Sequence, residues 1–224
     1  MKTSEALVRK FIIPGLLVLF LAVSCGDVMQ YAPGPVEYTD GAAVDDSDYP
    51  FETPADYTGF TIYGVSDNLR FTSAVVSGEK AYKGSASLKV GVNYNAAESG
   101  GVLSTEGIDI HLAGQKLTAR VWIPNGMFPA DYSYGASFFF QLPNHNWYQS
   151  TWQNLSAPKG AVAGQWNTIT ANVDEMVFDS KTLAENSADG NTVVKWGLKV
   201  GQGGKSPNYT GFIYIDSISI EPAE

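Results

Sequence analysis

Five tryptophans lie between residues 122 and 196 of a 224-residue chain that also carries 12 Tyr and 11 Phe. Only 17% of its residues are charged, against about 25% in average soluble proteins. Flat rings stack on the apolar C–H faces of pyranoses, while amides and cations hydrogen-bond hydroxyls; rigid strands suit such preformed sites. That is the chemistry of non-covalent recognition. Constellations for bond-breaking are scarce. A single cysteine, Cys25, excludes an intrachain disulfide framework and any multi-thiolate metal site, and two histidines argue against a His-rich catalytic centre. With 14 Lys+Arg against 23 Asp+Glu, the net charge of -9 excludes a broad phosphate-neutralising surface, so no nucleic-acid partner is expected.

The segment 136–155 reads as a hairpin and offers both rings and amides. With Gln141 opposite Trp147, one face collects Ser137, Phe139, Gln141, Trp147, Gln149 and Thr151. The other collects Phe138, Phe140, Tyr148, Ser150 and Trp152 and looks like core; a slip by one residue would exchange them. Trp147 is the leading stacking ring. Trp152, five residues on, reaches the same face only if a bulge intervenes. On 117–123, Leu117, Ala119, Val121 and Ile123 point inward, which turns Arg120 and Trp122 outward, where a large ring needs cover. Lys199 alternates with Leu198 and Val200, so its face is expected to match that of Arg120, with a simply solvated lysine as the alternative. Trp166 and Trp196 are assigned to the core, each needing a partner for its indole N–H.

These side chains must be held by strands. Period-two alternation marks 59–65, 86–94, 117–123, 136–142, 147–155, 166–173, 193–200 and 212–220, separated by turn clusters such as Pro124-Asn-Gly126 and Pro143-Asn-His-Asn146. Only the region around 183–186 has the pattern of a helical turn. Many short strands with little helix make an all-β domain, a β-sandwich or barrel, and no fixed 20–50-residue repeat points to a propeller.

Before the strands comes a leader. Lys2, Arg9 and Lys10 precede an apolar run over 11–23, too short for a spanning helix, which needs about 20 residues. It ends Leu21-Ala-Val-Ser-Cys25-Gly26, which resembles the lipobox of bacterial lipoproteins. The expectation is a signal peptide over 1–24, a lipidated Cys25 opening a flexible linker over 25–47, and a folded domain over 48–224. Gly26, not Asp, follows the cysteine, which implies the outer membrane or cell surface of a bacterium. Cleavage would remove three bases and one acid, leaving 11 against 22 and a net charge of -11. The Pro-, Gly- and Asp-rich stretch that follows reads as a tether.

The order of motifs adds a specific likeness. Tyr49-Pro-Phe-Glu52, Ala81-Tyr-Lys-Gly-Ser-Ala-Ser-Leu-Lys-Val90, Leu117-Thr-Ala-Arg-Val-Trp-Ile-Pro124, Gln165-Trp-Asn-Thr-Ile169, Lys195-Trp-Gly-Leu-Lys-Val200 and Gly211-Phe-Ile-Tyr-Ile-Asp216 follow one another over residues 48–222. This series resembles the jelly-roll carbohydrate-binding modules of galactose-binding-domain-like kind that are attached to bacterial glycanases. The resemblance implies a β-sandwich jelly roll and a non-catalytic polysaccharide binder, of β-mannan or β-glucan type. It implies that the strand of Arg120 and Trp122 contributes to the concave face, to which the residue pattern adds Trp147, Gln141, Trp152 and Lys199 as candidate contacts. It also implies a structural Ca²⁺ joining Glu52, backbone carbonyls near Lys83 and Gly84, and Asp216; oxygen donors of this kind suit that ion, and an unpaired buried Asp would be costly.

Two local motifs carry nothing. Gly201-Gln-Gly-Gly-Lys-Ser206 has Lys199 where a phosphate loop needs Gly and Pro207 where its helix should start, and Trp196 stands where a calcium loop opened by Glu185 needs Glu. A glycoside hydrolase needs two carboxylates facing one bond, and the adjacent Asp174 and Glu175 point to opposite faces of a strand. An enzyme, hydrolase or lyase, is therefore not expected. The alternative is a surface lipoprotein whose sandwich docks a protein partner in a glycan-uptake complex.

Overall fold

The computed structural model describes residues 47–64, 71–94, 100–125, 127, 134–155, 164–186, 188, 192–202 and 209–224. The leader, Cys25 and the linker up to residue 46 lie outside the described residues, and everything described belongs to the second of two units, Val36–Glu224. Eleven strands form two antiparallel sheets. They are β1 (Phe60–Gly64), β2 (Phe71–Ser77), β3 (Ser87–Tyr94), β4 (Gly100–Ile110), β5 (Gln115–Ile123), β6 (Tyr134–Gln141), β7 (Trp147–Gln149), β8 (Gln153–Asn154), β9 (Gln165–Asn172), β10 (Val193–Gln202) and β11 (Tyr209–Pro222). The first sheet runs β1-β4-β10-β6-β7, with β8 also on β6; the second runs β2-β3-β11-β5-β9. Most neighbours are distant in sequence, which is the crossing pattern of a jelly-roll sandwich. The described residues hold no α-helix, only the 3-10 turn Val173–Glu175 and a helix-like turn at 182–186 in which the Asn186 N–H donates to the Thr182 carbonyl at 3.0 Å.

Alternation sets what lies between the sheets. On β5, Leu117, Ala119, Val121 and Ile123 are fully buried and the residues between them are not. Facing them across the sandwich are Phe138, Phe140, Trp196, Leu198 and Val200. The Tyr94 hydroxyl crosses from β3 to donate to the Val200 carbonyl at 3.1 Å, and burial pushes its pKa well above the usual tyrosine range. Trp196 is in the core as expected, but its indole nitrogen has no hydrogen-bond partner.

β11 shows why an isoleucine pattern with two phases makes one continuous strand. Ile213 and Ile215 are buried, as are Ile218 and, in part, Ile220, so the inward phase shifts by one residue. The register with β5 slips between Asp216 and Ser219, and Ser217 takes a positive φ of 48°. This β-bulge re-aims the chain so that both isoleucine pairs face the core and Asp216 points outward.

Two strands escaped the sequence reading, β2 and β4. β4 opens on two glycines, with a third at Gly107 and the polar run Ser104-Thr-Glu106 between them, so it lacks the apolar alternation of its neighbours although it lies inside the first sheet. The expected single strand over 147–155 is broken into β7 and β8. The seam beside this break is closed by a side chain. Gln153 accepts from the Thr170 N–H at 3.2 Å and donates back to the Thr170 carbonyl, so its amide acts as a one-residue strand on the free edge of β9.

Candidate functional site

The outer face of the first sheet carries the candidate site. The hairpin register is Gln141 opposite Trp147, Phe140 opposite Tyr148 and Phe139 opposite Gln149, as expected from the sequence. The turn that fixes it places His145 at φ 66°, with its N–H donating to the Leu142 carbonyl and the Gln141 amide donating to its carbonyl at 3.3 Å. β6 is buried on both sides, which a strand at the surface of a sandwich is not unless something lies on it. Two tryptophans do. Trp147 lies flat on Phe139, with ring centroids 4.1 Å apart and an interplanar angle of 4°. One face of its indole is thereby occupied, and the ring stays partly exposed.

Trp152 covers the opposite end of the strand. A methyl group at Gly135 would fall 2.1 Å from the Trp152 indole nitrogen, so the ring rests directly on that glycine. The break between β7 and β8 supplies the irregularity that lets residue 152 leave the core side, and the sequence alone posed this only as a condition. Gly135→Ala is expected to lift the ring off the sheet and weaken ligand binding severalfold, and to lower the melting temperature as well, because the methyl would also fall 2.7 Å from the Gln153 carbonyl. Equal affinities of the parent and variant in calorimetry would remove Trp152 from the site.

Between the two rings, Lys199 on β10 stands directly opposite Ser137 on β6, with Gly201 opposite Gly135 and Gly197 opposite Phe139 on either side. Four residues of β6 separate the positions under the two rings, roughly 13 Å of strand. That length accommodates a run of pyranose rings. Trp147, Gln141, Trp152 and Lys199 therefore share one face. Lys199 is half-buried, its Nζ 5.7 Å from the Trp152 ring centroid, and burial lowers its pKa from the ordinary lysine range. The expectation of a solvated lysine is not met.

Arg120 and Trp122 are elsewhere. β5 belongs to the second sheet, so these two residues face away from the other four, and Lys199 does not share a face with Arg120. The loop at 78–86 folds over that second outer face. Lys80 places its Nζ 4.0 Å from the Trp122 ring centroid, Trp122 meets Tyr214 edge-on at 5.6 Å, and the Arg120 guanidinium lies 4.3 Å from the Tyr82 ring centroid while donating to the Thr168 hydroxyl. Trp166 is half-buried here, edge-on to Tyr82 at 6.1 Å, and not in the core as expected. Its position opposite Trp122 in the β5–β9 ladder sets it on the outer side. Hydrogen bonding from Lys89, 2.5 Å away, holds the Glu79 carboxyl below its usual range, helped by the Tyr214 hydroxyl. Any stability that Glu79 contributes is thus present above the ordinary carboxylate pKa and lost as pH falls through the depressed value. These rings anchor a loop.

The three segments proposed to hold calcium do meet. The backbone of Tyr49 pairs with that of Ile218, which brings Glu52 beside the end of the loop. Glu52 sits over Gly84, a residue at φ +64° where a side chain would collide with the carboxylate, and accepts from the Ser85 N–H and hydroxyl at 2.9 and 2.7 Å. Asp216, fully buried, accepts from the Tyr82 N–H at 2.7 Å and the Ser217 N–H at 2.9 Å. Among the described residues no group of three acidic, His or Cys side chains gathers, so an ion here would draw on the two carboxylates and backbone carbonyls. Those are hard oxygen donors of the kind calcium takes. A separate pocket of about 260 Å³, lined by Lys116, Thr151, Gln153, Asn172, Glu175 and Met176, lies at the β8–β9 seam, off the face with the two rings.

The solved structures that resemble this all-β sandwich are β-sandwich carbohydrate-binding modules. One, studied for the promiscuous specificity of carbohydrate-binding modules of the β-sandwich superfamily, is 26% identical, with a TM-score of 0.54 over 80% of this chain and 63% of its own. The chain thus spans less than two thirds of that structure's length. A family 28 module specific for non-crystalline cellulose has a TM-score of 0.52 at 14% identity, covering 74% of this chain and 89% of its own. A family 11 module of a cellulosomal cellulase of Clostridium thermocellum has 0.51 at 10%, covering 81% and 97%. At those identities the last two show the fold alone. No family model and no curated protein matches the sequence.

Proposed function

We propose that the chain is a non-catalytic, lipid-anchored surface protein that binds a polysaccharide, of β-mannan or β-glucan type, on the outer face of the first sheet. The observation that carries this reading is the pair of tryptophans laid on β6, Trp147 over Phe139 and Trp152 over Gly135, with Gln141 and Lys199 beside them. A large ring at the surface of a sheet is expected to serve either as cover or as a contact, and Trp147 stays partly exposed after covering Phe139. Among the residues whose side chains are described, this face carries rings, amides, hydroxyls and lysines but no carboxylate, which supports binding without hydrolysis. Affinity electrophoresis against soluble mannans, glucans and xylans tests it: retardation by at least one glycan is expected, and release of reducing ends over time would instead indicate an enzyme.

A second reading rests on the other sheet. Val75 and Phe212, 55% and 46% exposed, lie on its outer face, and exposed apolar side chains of this kind dock proteins. Absence of retardation by every glycan would favour it.

Two further features complete the proposal. Cys25 is the lipidated N-terminus that ties residues 48–224 to a bacterial outer membrane or cell surface through the linker 25–47. Cys25→Ser is expected to move the protein from the membrane to the soluble fraction, and unchanged fractionation would refute the anchor. Calcium bound by Glu52, Asp216 and the carbonyls near Lys83 would brace the loop on β11. Adding a chelator should then lower the melting temperature, and an unchanged melt would remove the ion.

A further inference from the structure

Lys199 does more than a neutral sugar requires. It stands midway between the positions under the two tryptophans, half-buried; among the described residues no ion pair to it is found, and its Nζ lies 5.7 Å from the Trp152 ring centroid. Directly opposite, Ser137 is fully buried and its hydroxyl has no hydrogen-bond partner. A partly desolvated ammonium and an unsatisfied hydroxyl donor therefore occupy one spot on a face whose other described groups are neutral or, at Lys195, already engaged. Hydroxyls of a neutral sugar satisfy a donor but leave the ammonium's charge uncompensated. A carboxylate would do both, with charge-assisted hydrogen bonds roughly twice as strong as neutral ones.

We propose that Lys199, with Ser137, is a subsite for the carboxylate of a uronic acid, so that the preferred ligand is a neutral β-linked chain carrying occasional uronate residues. The spacing supports sparse substitution: rings on either side stack on neutral pyranoses, and a single cation lies between them. So does the charge of the whole chain. At -9 it repels a fully charged polyuronate, while one carboxylate against a half-buried ammonium gains more locally than it loses to a field that salt screens within about 8 Å. The Trp152 ring, its centroid 5.7 Å from the Lys199 Nζ, lies beside the charge on this face.

This inference rests on the polysaccharide reading of the face, and the test separates the two. Glucomannan and mixed-linkage β-glucan are compared by calorimetry before and after sparse oxidation at C6 to uronate, with the parent protein, Lys199→Met, Lys199→Arg and Trp147→Ala. For the parent, the oxidised polymer is expected to bind about fivefold more tightly at low salt, the worth of one good ion pair. That gain should vanish in high salt and in Lys199→Met, persist in Lys199→Arg, and disappear together with all binding in Trp147→Ala. If the parent binds oxidised and unoxidised polymers equally, or if Lys199→Met keeps the gain, the uronate subsite is overturned while the glycan face stands. If neither form of either polymer binds the parent, the glycan reading falls and takes the subsite with it.

Discussion

Trp147→Ala is expected to weaken polysaccharide binding by at least about thirtyfold, the cost of about 2 kcal/mol that marks a tryptophan at the centre of a binding surface. The same substitution removes the indole stacked on the fully buried Phe139, so stability should fall by about 1 kcal/mol. The two effects separate cleanly. A circular-dichroism melt reports the small stability loss, and calorimetry on still-folded protein reports the binding. Trp147→Phe keeps a ring over Phe139 and is expected to retain part of the affinity. Trp122→Ala is the control from the other sheet, where the ring is covered by Lys80 and meets Tyr214, and it should leave affinity unchanged. If Trp122→Ala abolishes binding and Trp147→Ala does not, the site belongs on the second sheet.

Asp216→Ala is expected to be the most damaging single change outside the apolar core. Its two carboxylate oxygens accept from the Tyr82 and Ser217 N–H groups at the bulge of β11, and the side chain is fully buried. Removing it leaves both donors without that acceptor and frees the loop that carries Lys80 and Tyr82. At 1–3 kcal/mol for each orphaned buried donor, the loss is about 3 kcal/mol, or roughly 10 °C in melting temperature for a domain of this size. Asp216→Asn keeps one oxygen acceptor and should cost about half as much. A melting temperature within a degree or two of the parent for Asp216→Ala would show that the loop is held by its ring contacts alone. Binding to the first sheet should be nearly unaffected in either variant, because the loop lies across the sandwich from Trp147.

Much of this was legible from residue types along single strands. The alternation of Leu117, Ala119, Val121 and Ile123 showed which side of β5 is buried, and that of 136–142 with 147–149 gave the hairpin register as found, Gln141 against Trp147. Trp152 shows where such reading stops. Counting by two places it with the core, and only the break between β7 and β8 carries it to the outer face; nothing in Ser150-Thr-Trp152 marks that break. β4 was missed for a different reason: it opens on Gly100 and Gly101, and a methyl at Gly101 would fall 2.0 Å from the Phe71 ring, which packs there instead.

By itself the sequence determined an all-β chain and the inward side of strands such as β5 and β6, because a period of two is a local property of extended backbone. It also determined the store of rings and amides from which a recognition face is made. Only the tertiary structure decided that Arg120 and Trp122 belong to one sheet while Trp147, Gln141, Trp152 and Lys199 belong to the other. Alternation distinguishes inside from outside but not one outer face from the other. That assignment comes from pairings between distant strands, β10 with β4 and β6, β11 with β3 and β5, whose partners are chosen by burial across the whole sandwich.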